Sequence, residues 1–383
     1  FYIAYFVMAI PSGILLKKVG FKRGIMYGFM LTALGAFLFV PAALVRQFEI
    51  FLIGLFSIGT GLAILQTAAN PYVTIIGPIE SAARRISIMG ICNKFAGIIS
   101  PLIFAALILK ADDSELFSLI ESGTLDAITK SAMLDELIQR VIVPYAILGG
   151  LLVLAGIGIR YSILPEINTD EQNATDEKEN GHNSKKSIFD FPYLILGALA
   201  IFFHVGTQVI AIDTIINYAN SMGIDLLEAK VFPSYTLACT MIGYVLGILI
   251  IPKYVSQTKA LIICTILGLL LSFGVVFADF NVTLFGHQAN ISIFLLCALG
   301  FPNALIYAGI WPLSIHGLGK FTKTGSSLLI MGLCGNAILP LIYGYFAEVY
   351  DLRIGYWILI PCFLYLIFFA TKGHKINSWK RNY

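Results

Sequence analysis

Gln66 and Asn70 lie four residues apart in the stretch LAILQTAANPYV, and Tyr307 and Trp311 repeat that spacing later in the chain, with Asn303 one turn earlier. Residues four apart share one face of a helix. An amide both donates and accepts hydrogen bonds, and the face of a Trp or Tyr ring packs against apolar ring surface. None of these groups is charged at neutral pH. Together they suit a flat, neutral, hydroxyl-rich ligand, a sugar, better than a phosphate or carboxylate, which would demand arginines or lysines beside it. No paired carboxylates, Ser/His set or metal-ligand cluster converges on the same segments, so neither bond-making chemistry nor a metal is expected and the chain does not read as an enzyme.

Further polar residues sit in equally apolar surroundings. Asn93 and Lys94 fall inside IMGICNKFAG, and Asn336 takes nearly the corresponding place after IMGLC. The stretch FFHVGTQVIAIDTIINYANSMG holds two more pairs at the same spacing, His204 with Gln208 and Asp213 with Asn217. At about 100° per residue Gln208 stands roughly 140° round from Asp213, so an unbroken helix cannot aim both pairs at one point. Either the helix unwinds there or the pairs serve different neighbours. Asp213 reads as a cation or proton site or as the partner of Lys94; a place in the outer interface is the plainer alternative. The candidate substrate-binding residues are therefore Gln66, Asn70, Asn93, Gln208, Asn217, Asn303, Tyr307, Trp311 and Asn336, and the candidate coupling residues are Asp213 and Lys94. A lone asparagine could merely glue neighbouring helices, a reading that suits the whole set less well.

The elements that must carry these residues are written in the composition. Of 383 residues 58% are hydrophobic and 12% charged, whereas a soluble domain carries about 25% charged residues. Lipid is the solvent for most of this chain. Runs of about 20 apolar residues can span a bilayer, and eleven stand out: 1–16, 24–44, 51–76, 86–109, 141–159, 192–219, 231–251, 260–278, 291–316, 326–346 and 354–370. Residues 161–189 turn abruptly polar (NTDEQNATDEKENGHNSKKS), with too little to bury and the character of a flexible linker. The implied plan is a five-helix bundle over 1–160, a linker over 161–189 and a six-helix bundle over 190–383. When the spans alternate, 18 of the 25 Lys and Arg fall on one side, which the positive-inside rule makes cytoplasmic, with the linker and C-terminus. An even-membered first half needs one more helix before Phe1, so a first helix is expected to be missing from this chain. The acidic segment 111–140 carries Leu134, Leu137 and Ile138 on one stripe that continues to Val141, as an amphipathic helix on the membrane surface would. Six cysteines in apolar segments read as small buried hydrophobes, and a net charge of +3 is too mild to suggest nucleic acid.

A shift of 241 residues superposes Gly59 on Gly300 and Pro71 on Pro312. One residue further out of step, IMGIC at 88–92 meets IMGLC at 330–334, and each copy then runs into PLI. So small a drift across two spans and their loop is what duplication leaves. Paired bundles joined by a polar linker are the plan of transporters whose halves rock about a site near the midplane. Polar residues inside membranes face the bundle interior or a water path. The two rows are therefore expected to confront each other across the gap between halves, with Pro71 and Pro312 loosening the helix after each.

QTAANPYVTIIGPIESAARR followed by ISIMGICNKFAGIISP resembles the fucose–galactose–glucose symporter family of the major facilitator superfamily. FYIAYFVMAIPSGILLKKVGFKRG resembles that family's second helix and the loop after it, and the likeness extends over the whole chain. It implies an all-α polytopic membrane protein of two six-helix bundles, here with eleven of twelve helices, multi-pass in a bacterial inner membrane. It also implies cation-coupled import of neutral monosaccharides by alternating access. In fucose permeases the position matching Gln66 is a glutamate implicated in proton-coupled sugar binding, and the asparagine matching Asn93 contacts sugar. Gln66 cannot carry a proton, and the glucose/galactose branch is similar to this sequence in having Gln there. The expectation is a glucose or galactose symporter, coupled to H+ or Na+ and needing no other cofactor. Fucose or an N-acetylhexosamine as substrate, or a membrane sensor that binds sugar without moving it, are the alternatives. The expected partners are the small neutral sugar and the lipid bilayer, with no nucleic acid and the chain acting as a monomer.

Overall fold

The computed structural model describes residues 3–108, 129, 135, 138–167 and 187–379. Among these, nine helices are long and apolar enough to cross a membrane by length and composition. The first, α1 (Ile3–Val45), has 43 residues; at about 1.5 Å per residue it is roughly twice as long as the hydrocarbon core is thick. It bends at Gly20, whose φ of 80° and ψ of 175° belong to backbone that glycine adopts without steric cost, so α1 supplies the first two spans. α2 (Phe48–Ile75), α3 (Ala82–Ile108) and α4 (Ile142–Tyr161) follow. The second set comprises α5 (Pro192–Asp213) with α6 (Ile215–Ser221), α7 (Phe232–Ile250) and α8 (Gln257–Phe277). It continues with α9 (Ile291–Ala298) and α10 (Gly300–Ile315), α11 (Thr322–Met331) and α12 (Gly335–Val349), and α13 (Leu359–Thr371). Every one of the eleven apolar runs read from the sequence is met by helix within a few residues.

Lipid removes the hydrophobic drive between helices, so close packing must come from small residues that let backbones approach. Along the α1–α2 seam Gly28 faces Gly61 and Gly35 faces Gly54; a Cβ on Gly35 would stand 2.7 Å from the Gly54 carbonyl oxygen.

The internal repeat is present in the backbone. A 3-10 turn, Ile79–Ser81 in one copy and Gly319–Phe321 in the other, leads into α3 and α11. The copies differ in continuity, which the sequence did not lead us to expect. α2 and α3 run unbroken, whereas the matching spans break at Leu299 and through the 3-10 turn Gly332–Cys334. Both breaks lie where a glycine is pressed on a neighbour: a Cβ on Gly300 would come 2.1 Å from the Thr236 carbonyl oxygen of α7, and one on Gly335 2.0 Å from that of Phe202 on α5.

Two loops also depart from the sequence reading. Residues 281–290, between apolar runs, form a hairpin of β1 (Asn281–Leu284) and β2 (His287–Asn290) turned at Phe285 and Gly286, both with positive φ. Residues 162–167, read as linker, are tied to α1 and α2. The Glu166 carboxylate accepts the backbone N–H groups of Phe21 and Lys22 at 2.6 and 3.3 Å. Tyr72 donates to the Pro165 carbonyl at 2.9 Å, and Ile167 is buried among Leu16, Phe21 and Tyr72. The rest of the polar stretch to residue 186 lies outside the described residues, as does most of the expected surface helix within 111–140.

Candidate functional site

The two rows meet. Asn70 of α2 donates through Nδ2 to the Tyr307 hydroxyl of α10 at 3.0 Å, joining equivalent helices of the two copies. Gln66, one turn earlier on α2, donates to the Tyr5 hydroxyl of α1 at 3.1 Å. On α10 the i,i+4 spacing stacks Asn303, Tyr307 and Trp311 on one face, with the Tyr307 and Trp311 rings 6.0 Å apart at 60°. The His204 ring of α5 stands 6.2 Å from that of Tyr307. His204, Asn303, Trp311 and Asn70 are all at most 4% exposed. Pro71 and Pro312 sit inside their helices, and each helix ends within about a turn of its proline, at Ile75 and Ile315.

Several buried polar atoms here have no hydrogen-bond partner among the described residues: both ring nitrogens of His204, Oδ1 of Asn303, Nε1 of Trp311 and Oδ1 of Asn336. Asn336 belongs to the α12–α5 contact, next to the Gly335–Phe202 approach. A buried polar group without a partner costs about 1–3 kcal/mol. The group is mixed in kind. The indole only donates, the amide oxygens only accept, and a neutral imidazole offers one of each.

Other predicted residues are not drawn into this cluster. The break in the α5–α6 span falls at Thr214, after Asp213, so Gln208 and Asp213 stay on one continuous helix and point apart. The break separates Asp213 from Asn217 and does not bring the two pairs to one point. Gln208 is half-buried and makes no side-chain hydrogen bond with the described residues; Asn217, beyond the break, is exposed. Asn93 is exposed as well, because α3 turns Ser87 and Gly90 onto Gly247 and Tyr244 of α7. Asp213 is exposed at the end of α5 and Lys94 half-buried on α3. Lys94 interacts electrostatically with Asp213 and with His204, but no ion pair within 4 Å joins it to Asp213.

Sequence reasoning left out Tyr5 and His204 from the site. Tyr5 sits in FYIAYF, where an aromatic ring among aromatics gives no signal. His204 was visible as half of a spaced pair, but nothing local says that it, rather than Gln208, faces Tyr307.

Residues 1–334 match the family model described as Major Facilitator Superfamily. Among curated proteins, the glucose/galactose transporter of Brucella abortus is 31% identical over 380 residues, covering 98% of this chain and 84% of that protein. The L-fucose-proton symporter of Escherichia coli is 31% identical over 375 residues, covering 97% and 82%. Among solved structures, the major facilitator transporter FucP in the outward conformation superposes with a TM-score of 0.80 at 27% identity, covering 99% of this chain and 88% of that one.

Proposed function

Since this chain belongs to the major facilitator superfamily, a superfamily of transporters, we propose that it imports a neutral monosaccharide of the glucose or galactose type by alternating access, coupled to H+ or Na+. The observation that carries this reading is the set of buried donors and acceptors without a partner among the described residues, of which His204 and Trp311 stand beside Tyr307. A sugar hydroxyl donates one hydrogen bond and accepts two, so a ring bearing several hydroxyls can meet the indole, the imidazole and the amide oxygens alike. Once the bundles part, the Trp311 and Tyr307 rings, the first of them fully buried here, would offer flat apolar surface to the C–H face of the same sugar.

The two copies touch on the face that carries the basic loops. Gly13 of α1 packs on Ser327 of α11, and the Ala83 N–H at the start of α3 donates to Gln257 Oε1 at the start of α8, at 3.3 Å. With that face in the bacterial cytoplasm, the site would take sugar from outside. The bundles over 1–160 and 190–383 would rock about it as one monomer, and Asp213, within reach of the Lys94 charge, would be the group that responds to the coupling ion. The fucose reading has one observation in its favour, the equal identity to a fucose-proton symporter. Uptake of labelled glucose, galactose, fucose and N-acetylglucosamine into proteoliposomes under imposed H+ or Na+ gradients tests all of this. Concentrative uptake of glucose or galactose is expected. Uptake of fucose alone would reassign the substrate, and binding without counterflow would make the chain a sensor.

A further inference from the structure

On the same basic face, away from the polar rows, a cleft of about 490 Å³ opens between the two bundles. Lys18, Lys22 and Arg23 at the bend of α1, Arg160 at the end of α4 and Lys323 of α11 line it, with Glu166. Both Glu166 oxygens already accept backbone N–H groups, from Phe21 and Lys22. The Lys22 ammonium also donates to the Ser162 carbonyl at 2.6 Å.

Lys323 is the telling member. It is only 7% exposed, and its ammonium lies 5.5 Å from the centre of the Phe21 ring. Among the described residues no carboxylate comes within 4 Å of it. It is also the second residue of α11, at the positive end of the helix dipole, where a cation is disfavoured. Its stem is buried and its ammonium lines the cleft, so a counter-ion would reach it from there. Among the described residues five cations and one carboxylate thus line the cleft, an excess of four positive charges.

We propose that this cleft binds a negatively charged phosphate group, from an anionic lipid headgroup or a soluble phosphate ester. Because Lys323 comes from the second bundle and the other cations from the first, the bound phosphate clamps the basic face shut. The binding stands on the cleft alone; the clamp's effect on transport rests on the alternating-access reading above.

The test uses the full chain in nanodiscs, read by the thermal unfolding midpoint at constant ionic strength. One arm titrates inorganic phosphate into phosphatidylcholine discs against chloride; the other replaces phosphatidylcholine with phosphatidylglycerol and adds no phosphate. At least one arm should raise the midpoint saturably, and whichever does identifies the source. Lys323→Gln, and the exposed Arg160→Gln as a variant that leaves the packing alone, should each weaken the response at least tenfold. No response in either arm, a response that chloride reproduces, or one that both variants retain would overturn the proposal. Phosphate on the basic side should also slow sugar counterflow. Binding with unslowed counterflow removes the clamp and leaves the site, whereas a complete lack of counterflow without phosphate condemns the transport reading and not the cleft.

Discussion

Tyr307 touches both copies of the repeat: its hydroxyl accepts from Asn70 and its ring lies beside Trp311 and His204. The residue rows were legible because i,i+4 spacing is a local rule, and polar side chains in an apolar run stand out. Side-chain partners across helices were not, since no local rule pairs Gln66 with Tyr5 or selects His204 over Gln208. Trp311→Ala and Gln66→Ala should each abolish sugar uptake while leaving membrane insertion intact; normal uptake by either would remove it from the site. Tyr307→Phe should be milder. It loses one hydrogen bond, worth about 1 kcal/mol, and a roughly fivefold rise in the sugar KM at unchanged expression is the expected reading. Asp213→Asn should alter the proton or sodium dependence of uptake more than sugar affinity. An unchanged ion dependence would show that this carboxylate plays no part in coupling.

Elements were legible wherever hydropathy alone decides them, and obscure wherever a tertiary contact does. The spans appear in the sequence; the interruptions at Leu299 and Gly332–Cys334 do not, because a glycine pressed against another helix looks like any other glycine. Loops hold similar surprises. Arg85 closes the end of α2, donating to the carbonyls of Val73 and Thr74 at 2.7 and 2.6 Å and to those of Gly77 and Pro78 at 3.2 and 3.0 Å. It thereby satisfies carbonyls that a helix terminus leaves open. Arg85→Gln should cost about 2 kcal/mol of stability, visible as an earlier thermal transition in detergent; an unshifted transition would mean that water replaces the guanidinium at no loss. At the hairpin, the Asn290 amide and then Arg353 hold the exposed Asp279 carboxyl below its ordinary value. A depressed carboxylate stabilises the fold above the unfolded pKa and loses that effect as pH falls through the folded one. The stability gap between the native chain and Asp279→Asn should therefore be open at neutral pH and close as pH drops below about 4. A gap that keeps its full width well below that pH would sink the assignment.

For the molecule as a whole, the sequence offset located the repeat, and the composition told that lipid surrounds it. How tightly the copies meet at one face could come only from coordinates. Gly13 marks that seam, since any Cβ there would run into the Ser327 hydroxyl. Gly13→Leu should wedge the basic face open, so that thiol reagents added on that side label a cysteine placed in the seam faster while uptake falls; unaltered labelling would show that the seam tolerates the extra bulk. The contrast between the copies has a mechanical consequence. Unbroken helices behave as struts, and interrupted ones as struts with elbows. A carrier built from one stiff wall and one articulated wall need not move symmetrically: the second should flex around Leu299 and Gly332 when cargo arrives while the first keeps its shape. Amide hydrogen exchange would then quicken at those elbows and stay slow at the matching positions Ile58 and Gly90.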